Sequence, residues 1–435
     1  MKKFFHYINN EVLVKAASLN TANISIKIIA GILISKFIAI FIGPEGMALI
    51  GNLRNFLAAI QSIAIAGLYK GVVKQISKFK NNIVELTKIL STVFYFGFFS
   101  SLLLAFLCYY NADYINSIIF FNNNYTYVIE TMAIVLPFYA LNMFAFSIMN
   151  GFSKYKILLI INIISQILGL LVTLLLIRQD NIDGALVAVV ITPALNLLIT
   201  VVGIAFRKNL MTQIKIDHIN FSVLKNLSPN MIMALVSSIA IPFVLIIIRN
   251  YIITEIGIKE AGYWQAVNRV SDYYLMFIYS LMTLYILPRF AEIESRKEFR
   301  KEVFSFYRTV LPVFAALLIL VYLCRSWLVT ILFTEDFRPI EDLFGYQILG
   351  DFMRVMSMVI AYQFLAKKMF AHFIILEVFL FVIMYVSSVY LIDIFGVEGA
   401  VMGHCLSYFM HFAIILLIFG SSLFGVLNDD GLDEY

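Results

Sequence analysis

Apolar residues in this chain gather in long runs, and polar residues collect in the short stretches between them. About twelve of the runs reach the roughly 20 residues that a helix needs to cross a hydrocarbon core. The pattern predicts spans over residues 14–40, 46–69, 89–110, 128–150, 157–177, 184–206, 229–253, 261–287, 305–325, 343–366, 371–392 and 399–424. A helix satisfies all its backbone polar groups within one segment, as lipid demands. The expected fold is therefore an all-α polytopic membrane protein.

Composition supports that class. Of 435 residues, 62% are hydrophobic and 14% charged, too apolar for a soluble domain. The spans leave only short loops, with no room for a soluble catalytic domain. Forty Phe and 24 Tyr suit lipid-facing and interfacial positions. Cys108, Cys324 and Cys405 all sit in apolar runs without C-x-x-C spacing, and read as small core residues. The first 15 residues include Lys2, Lys3 and Lys15 but no apolar core with a cleavage site, so no removable signal peptide is expected.

Charge then sets orientation. The N-terminus and the even-numbered loops hold 22 of the 32 basic residues, including Lys70, Lys74, Lys78, Lys154, Lys156, Arg289, Arg296, Lys297, Lys367 and Lys368. The odd-numbered loops hold five: Arg178, Arg249, Lys259, Arg325 and Arg338. By the positive-inside rule the first group is cytoplasmic, and an even span count places both termini there. The net charge of +5 is thus a topology signal and implies no nucleic-acid partner. Residues 209–228 read as an amphipathic linker on the cytoplasmic surface, and 425–435 as an acidic cytoplasmic tail.

The two halves of the chain match without a gap at an offset of 215. Glu45 falls on Glu260, Arg54 on Arg269 and Lys74 on Arg289. Further on, Leu176-Ile177 falls on Leu391-Ile392, and Ile182-Asp183-Gly184-Ala185 on Val397-Glu398-Gly399-Ala400. This predicts two six-helix lobes, 1–208 and 229–424, related by a pseudo-two-fold axis along the membrane normal.

Five cations interrupt four of the spans: Lys27, Lys36, Arg54, Arg269 and Arg354. A cation in hydrocarbon costs at least ~2.5–3.5 kcal/mol, so such residues face a bundle interior or wet cavity and mark a transport path. The expected cargo is an anion. Arg54 and Lys27 have no carboxylate three or four residues away and rank first and second as phosphate contacts. Arginine offers a planar fork, lysine a point charge. A salt bridge to another helix is their plainer use, and Lys36, near a span end, can snorkel. Arg269 with Asp272, and Asp351 with Arg354, are spaced three apart and equally suit self-neutralising pairs. Glu377 either pairs with an arginine of another span or exchanges a proton or sodium ion. His404 and His411 share a helix face and read as core histidines more than as a relay. Asn52, Gln61, Asn268 and Gln347 could hold sugars, although glue between helices is the commoner use. Pro137, Pro193, Pro242 and Pro288 allow bending.

The run Lys27-Ile-Ile-Ala-Gly31, Lys36, Gly43-Pro44-Glu45-Gly46 and Asn52-Leu53-Arg54 resembles the first two spans of Wzx-type flippases. These belong to the multidrug/oligosaccharidyl-lipid/polysaccharide exporter superfamily, and the likeness is strongest to the enterobacterial common antigen branch. In the second half, Gly262-Tyr263-Trp264-Gln265, Ser271-Asp272, Leu287-Pro288, Asp342-Leu343-Phe344, Gln347, Gly350-Asp351, Ala366-Lys367 and Leu376-Glu377-Val378 agree. The resemblance spans residues 15–420. It implies two lobes forming a V around a central cavity. It implies a cargo of undecaprenyl-pyrophosphate-linked oligosaccharide, a lipid III or O-antigen-type unit, moved across the bacterial inner membrane by alternating access.

Arg54, Lys27, Arg269, Lys36, Arg354 and Asn52 are then the expected cargo contacts, with Asp272, Asp351 and Glu377 in coupling or charge pairing. No cofactor is expected beyond a coupling proton or sodium ion. Expected partners are the lipid-linked oligosaccharide, membrane lipids, and the glycan polymerase with its chain-length machinery. The rival reading is a cation-coupled exporter of small amphipathic compounds in the same fold, which a cationic cavity disfavours for cationic drugs. A membrane glycosyltransferase would need catalytic acids on a sizeable outer loop, and the loops near 111–127 and 326–342 are short. Walker A, nucleophile-elbow and HExxH motifs are all missing, so no enzyme is expected.

Overall fold

The computed structural model describes residues 11–65, 68–79, 81–121, 123–205 and 214–424, and among them every regular element is helical. The acidic tail, the first ten residues and the first part of the 209–228 linker lie outside the described residues. The helices are α1 (Glu11–Phe41), α2 (Gly43–Ala64), α3 (Leu68–Phe79), α4 (Ile83–Tyr110), α5 (Ala112–Phe120), α6 (Thr126–Gly151), α7 (Tyr155–Ala205), α8 (Phe221–Glu255), α9 (Ile258–Leu281), α10 (Leu287–Glu292), α11 (Arg296–Thr309), α12 (Leu311–Leu323), α13 (Arg325–Leu332), α14 (Ile340–Ala366), α15 (Phe370–Phe395) and α16 (Val397–Phe424).

Ten helices among the described residues are long and apolar enough to cross a membrane. One of them, α7, carries two of the expected spans, broken at Asp180-Asn181, where Asn181 has φ +47°. The expected span 46–69 is α2, whose Asn52, Arg54, Asn55 and Gln61 make it more polar than those ten, followed by α3.

Local chemistry explains the breaks. Asn82 caps α4 by accepting from the Glu85 amide at 3.2 Å, and Ser295 caps α11 by accepting from Glu298 at the same distance. Pro288 has no N–H to continue the helix, and the turn before it, Met282–Ile286, widens to a π-turn between α9 and α10. Pro312 similarly opens α12 just after α11 ends.

The repeat read from the sequence recurs in the backbone. Ser153 and Lys368, 215 apart, both have φ +57°. Each follows a helix closed by the same three bonds: Phe152, Ser153 and Lys154 donate to Ile148, Asn150 and Met149, as Lys367, Lys368 and Met369 do to Gln363, Leu365 and Phe364. Asn181 and Gly396, again 215 apart, both take positive φ at the next break. There Gly184 and Gly399 approach so closely that a Cβ would lie 1.9 Å from the Leu176 carbonyl oxygen and 2.1 Å from that of Leu391.

The chain divides into two compact units, Met1–Ile42 with Asn52–Ile239, and Gly43–Gly51 with Ala240–Tyr435. In the first, amphipathic α3 buries Leu68, Val72 and Ile76 against Leu86, Ile89, Leu90 and Val93 of α4, Ile148 of α6 and Val223 of α8. Just before α8 the chain is tied to α4: the Lys215 and Asn220 amides each donate at 2.9 Å to buried hydroxyls, Ser91 Oγ and Thr92 Oγ1. In the second, α14, α15 and α16 pack through small residues. Gly350 leaves space for the His404 ring, and Gly403 lies against Ser388. The segment Gly43–Gly51 rests on α9 in that unit, with Gly262 under the Pro44 carbonyl and Gly51 under the Gln265 side chain.

Candidate functional site

In the first unit the sequence-predicted cations separate by geometry. Lys27 is exposed and Lys36 half-buried on α1. Nine residues are two and a half turns, so the two project to opposite sides of that helix. On α2, Asn52 is fully buried and its amide donates to the Ile119 carbonyl at 3.0 Å, tying α2 to α5. Arg54, two residues on, points away from that contact and is half-buried. Of this group, Asn52 has a packing task visible in the fold, and Lys27 is exposed while Lys36 and Arg54 are half-buried.

The second unit brings many more polar groups together, from α9, α14, α15 and α16. Asp351 is fully buried at the centre. It accepts from Tyr274 Oη at 2.5 Å, from His404 Nε2 at 3.1 Å and, at the long distance of 3.4 Å, from Gln347 Nε2. Ser271 Oγ lies 2.9 Å from Tyr274 Oη and accepts from Gln347 Nε2 at 3.1 Å. Gln347 reaches Asn268 Oδ1 at 3.4 Å, so two of the amides read as sugar contacts or glue meet each other here.

Spacing along α14 allowed Asp351 and Arg354 to neutralise each other, but the carboxylate's hydrogen bonds come from Tyr274, Gln347 and His404. The Arg354 guanidinium lies over two aromatic faces, 5.5 Å from the Tyr279 ring centre and 5.2 Å from that of Tyr408. Arg269 behaves similarly on α9: its Nε donates to Tyr273 Oη at 3.2 Å, and its guanidinium lies 5.5 Å from that ring. Asp272 is exposed three residues along. Glu377 of α15 has Arg354, from another helix, as its charged neighbour.

Two features went unread in the sequence. His404, taken for a core histidine, is part of the Asp351 network, while His411 Nδ1 is buried with no partner among the described residues. Both imidazoles flank Tyr408, with centroids 4.9 and 6.2 Å from its ring. Arg249, read as a loop cation, is instead 1% exposed within α8. Its guanidinium lies 5.3 Å from the Trp264 ring centre and donates to Gln265 Oε1. A lone arginine near the end of an apolar run looks like a flanking charge, because its partners are fifteen or more residues away on the next helix. The one available signal was the Trp264-Gln265 pair on a polar helix.

The profile of a family described as "Polysaccharide biosynthesis protein" matches residues 37–342. The lipid III flippases of Escherichia coli (strain K12) and Shigella flexneri are each 27% identical over 409 residues, covering 94% of this chain and 98% of theirs. Among solved structures, the lipid II flippase MurJ in an inward closed conformation is similar with a TM-score of 0.71 at 16% identity, covering 94% of this chain and 87% of that one. An inward-facing multidrug resistance MATE family transporter of the MOP superfamily has a TM-score of 0.71 at 13% identity, covering 94% and 98%. At such identities these two likenesses concern the fold alone.

Proposed function

The chain belongs to the polysaccharide biosynthesis protein family, and on that premise we propose that it is a flippase. Its cargo is an undecaprenyl-pyrophosphate-linked oligosaccharide, carried from the cytoplasmic to the periplasmic leaflet of a bacterial inner membrane by alternating access. The observation that carries this reading is the match to lipid III flippases along nearly the whole of both chains. The intramembrane cations fit it, because a pyrophosphate crossing a dry interior needs a countercharge. Arg54 is the leading contact, with Lys27, Lys36, Arg269 and Arg354 as further cations along the path. Transport is coupled to a proton or sodium ion, with Glu377 and Asp272 as the candidate exchanging groups. On this reading the machinery works as a transporter and makes no covalent change to its cargo. Delivery of the flipped unit to a glycan polymerase and its chain-length machinery is the next step of the same proposal. The rival, export of small amphipathic compounds, draws support from the shared fold of MATE transporters, but arginines repel the cationic compounds such an exporter would carry.

Arg54→Ala tests the reading. A unit charge pair at ~4 Å contributes about 4 kcal/mol at an effective dielectric near 20, roughly a thousandfold in affinity. The variant should insert and accumulate normally yet fail to restore surface glycan in a flippase-null strain, with Arg54→Lys partly active. Full complementation by Arg54→Ala at native expression refutes the placement of the cationic path.

A further inference from the structure

Arg249 and Arg354 of the second unit are held in different ways, and the difference assigns them different work. Arg249 is sealed from solvent, with its guanidinium over the Trp264 ring and hydrogen-bonded to Gln265. That is an arginine used to fasten helices. Arg354 is only half-buried, and its guanidinium lies over two tyrosine rings, 5.5 Å from the centre of Tyr279 and 5.2 Å from that of Tyr408. None of the hydrogen bonds or ion pairs among the described residues engages its guanidinium. A guanidinium held over aromatic rings spends none of its five N–H donors on them and keeps those donors for a planar or tetrahedral anion. Behind the clamp stands a second layer. Tyr408 packs edge-on against His404, and His404 is pinned by fully buried Asp351, which Tyr274 pins in turn. Gly350 makes this possible, since a Cβ there would lie 2.3 Å from His404 Cδ2.

We propose that Tyr279 and Tyr408 are positioning residues that present Arg354 as a phosphate-binding group, with His404 and Asp351 supporting Tyr408 from behind. The proposal rests on the flippase reading for its ligand, the phosphate ester of a lipid-linked cargo. A membrane phospholipid offers the same chemistry, so both are tested. The acids around the guanidinium are Asp272 of α9, Asp351 of α14 and Glu377 of α15, and all three act on it electrostatically. They temper the affinity, which suits a carrier that must release its anion. Asp351 here acts through His404 and Tyr408; it does not touch the cargo.

The test measures ligand binding to the purified full-length protein by native mass spectrometry. Undecaprenyl pyrophosphate, the neutral alcohol undecaprenol and phosphatidylglycerol are the three probes. Tyr408→Leu and Tyr279→Leu should each weaken undecaprenyl pyrophosphate about tenfold, the scale of a cation–π contact, and Arg354→Ala, which removes the charge itself, should weaken it by at least as much. Undecaprenol binding should not change. Tyr408→Phe and Tyr279→Phe, which keep the ring face, should stay within about threefold of wild type. If Tyr408→Leu fails to accumulate, Tyr279→Leu makes the same test from the other side of the guanidinium. Undiminished pyrophosphate binding in Arg354→Ala, or Phe variants as weak as the Leu variants, overturns the proposal. Loss of phosphatidylglycerol alone in Arg354→Ala supports the phosphate site but assigns it to lipid and overturns the cargo assignment. Wild-type protein that binds undecaprenol as tightly as undecaprenyl pyrophosphate overturns the flippase reading itself, a result separable from all the others.

Discussion

Removing the Asp351 carboxylate should destabilise the second unit more than any other single polar substitution named here. In Asp351→Ala, Tyr274 Oη and His404 Nε2 both lose a buried acceptor, now at 2.5 and 3.1 Å. The 3.4 Å contact from Gln347 is too long to count for much. Hydrogen bonds to a charged group contribute about 1.5–3 kcal/mol each, so two give roughly 3–6 kcal/mol. Asp351→Asn keeps one acceptor oxygen and the shape of the side chain, so its loss should be about 1–3 kcal/mol. Reversible unfolding of the purified protein in mixed micelles, with denaturing detergent as the titrant, measures the difference directly. The order wild type, Asn, Ala is expected. An alanine variant as stable as wild type would show that the buried network is not what holds α9, α14 and α16 together, and the support assigned to His404 would fall with it.

Three further outcomes are expected. Cysteine placed at exposed Asn123 or Glu335 should react with an impermeant thiol reagent from the periplasm, while cysteine at exposed Lys78 or Lys297 should not; the reverse pattern inverts the topology. Glu377→Gln should abolish ion coupling while leaving cargo binding largely intact, and transport that is unchanged across a range of pH assigns Glu377 to structure. Gly262→Val should lower stability by about 1–3 kcal/mol, the usual cost of overpacking. A Cβ there would meet the Pro44 carbonyl oxygen at 2.0 Å, so a melting temperature equal to wild type means that Gly43–Gly51 does not rest on α9.

Much of this protein follows from its sequence alone. Apolar run length determined the helical membrane class, because lipid leaves the backbone no other way to satisfy itself over a continuous segment. Charged residues recurring at one offset revealed the repeat, and the backbone agrees at Ser153 with Lys368 and at Asn181 with Gly396. Arg54, Arg269 and Arg354 stood out because a cation in an apolar run is costly wherever it lies. What each charge does was not legible, since its partner comes from another helix. Spacing three along α14 offered Asp351 to Arg354, and only the fold brought His404 and Tyr274 to the carboxylate and two tyrosine rings to the guanidinium. Arg249 looked like a loop charge until α9 set Trp264 and Gln265 beside it. Helix formation depends on residues three or four apart; charge pairing inside a membrane depends on which helices pack together, and that is settled only in three dimensions.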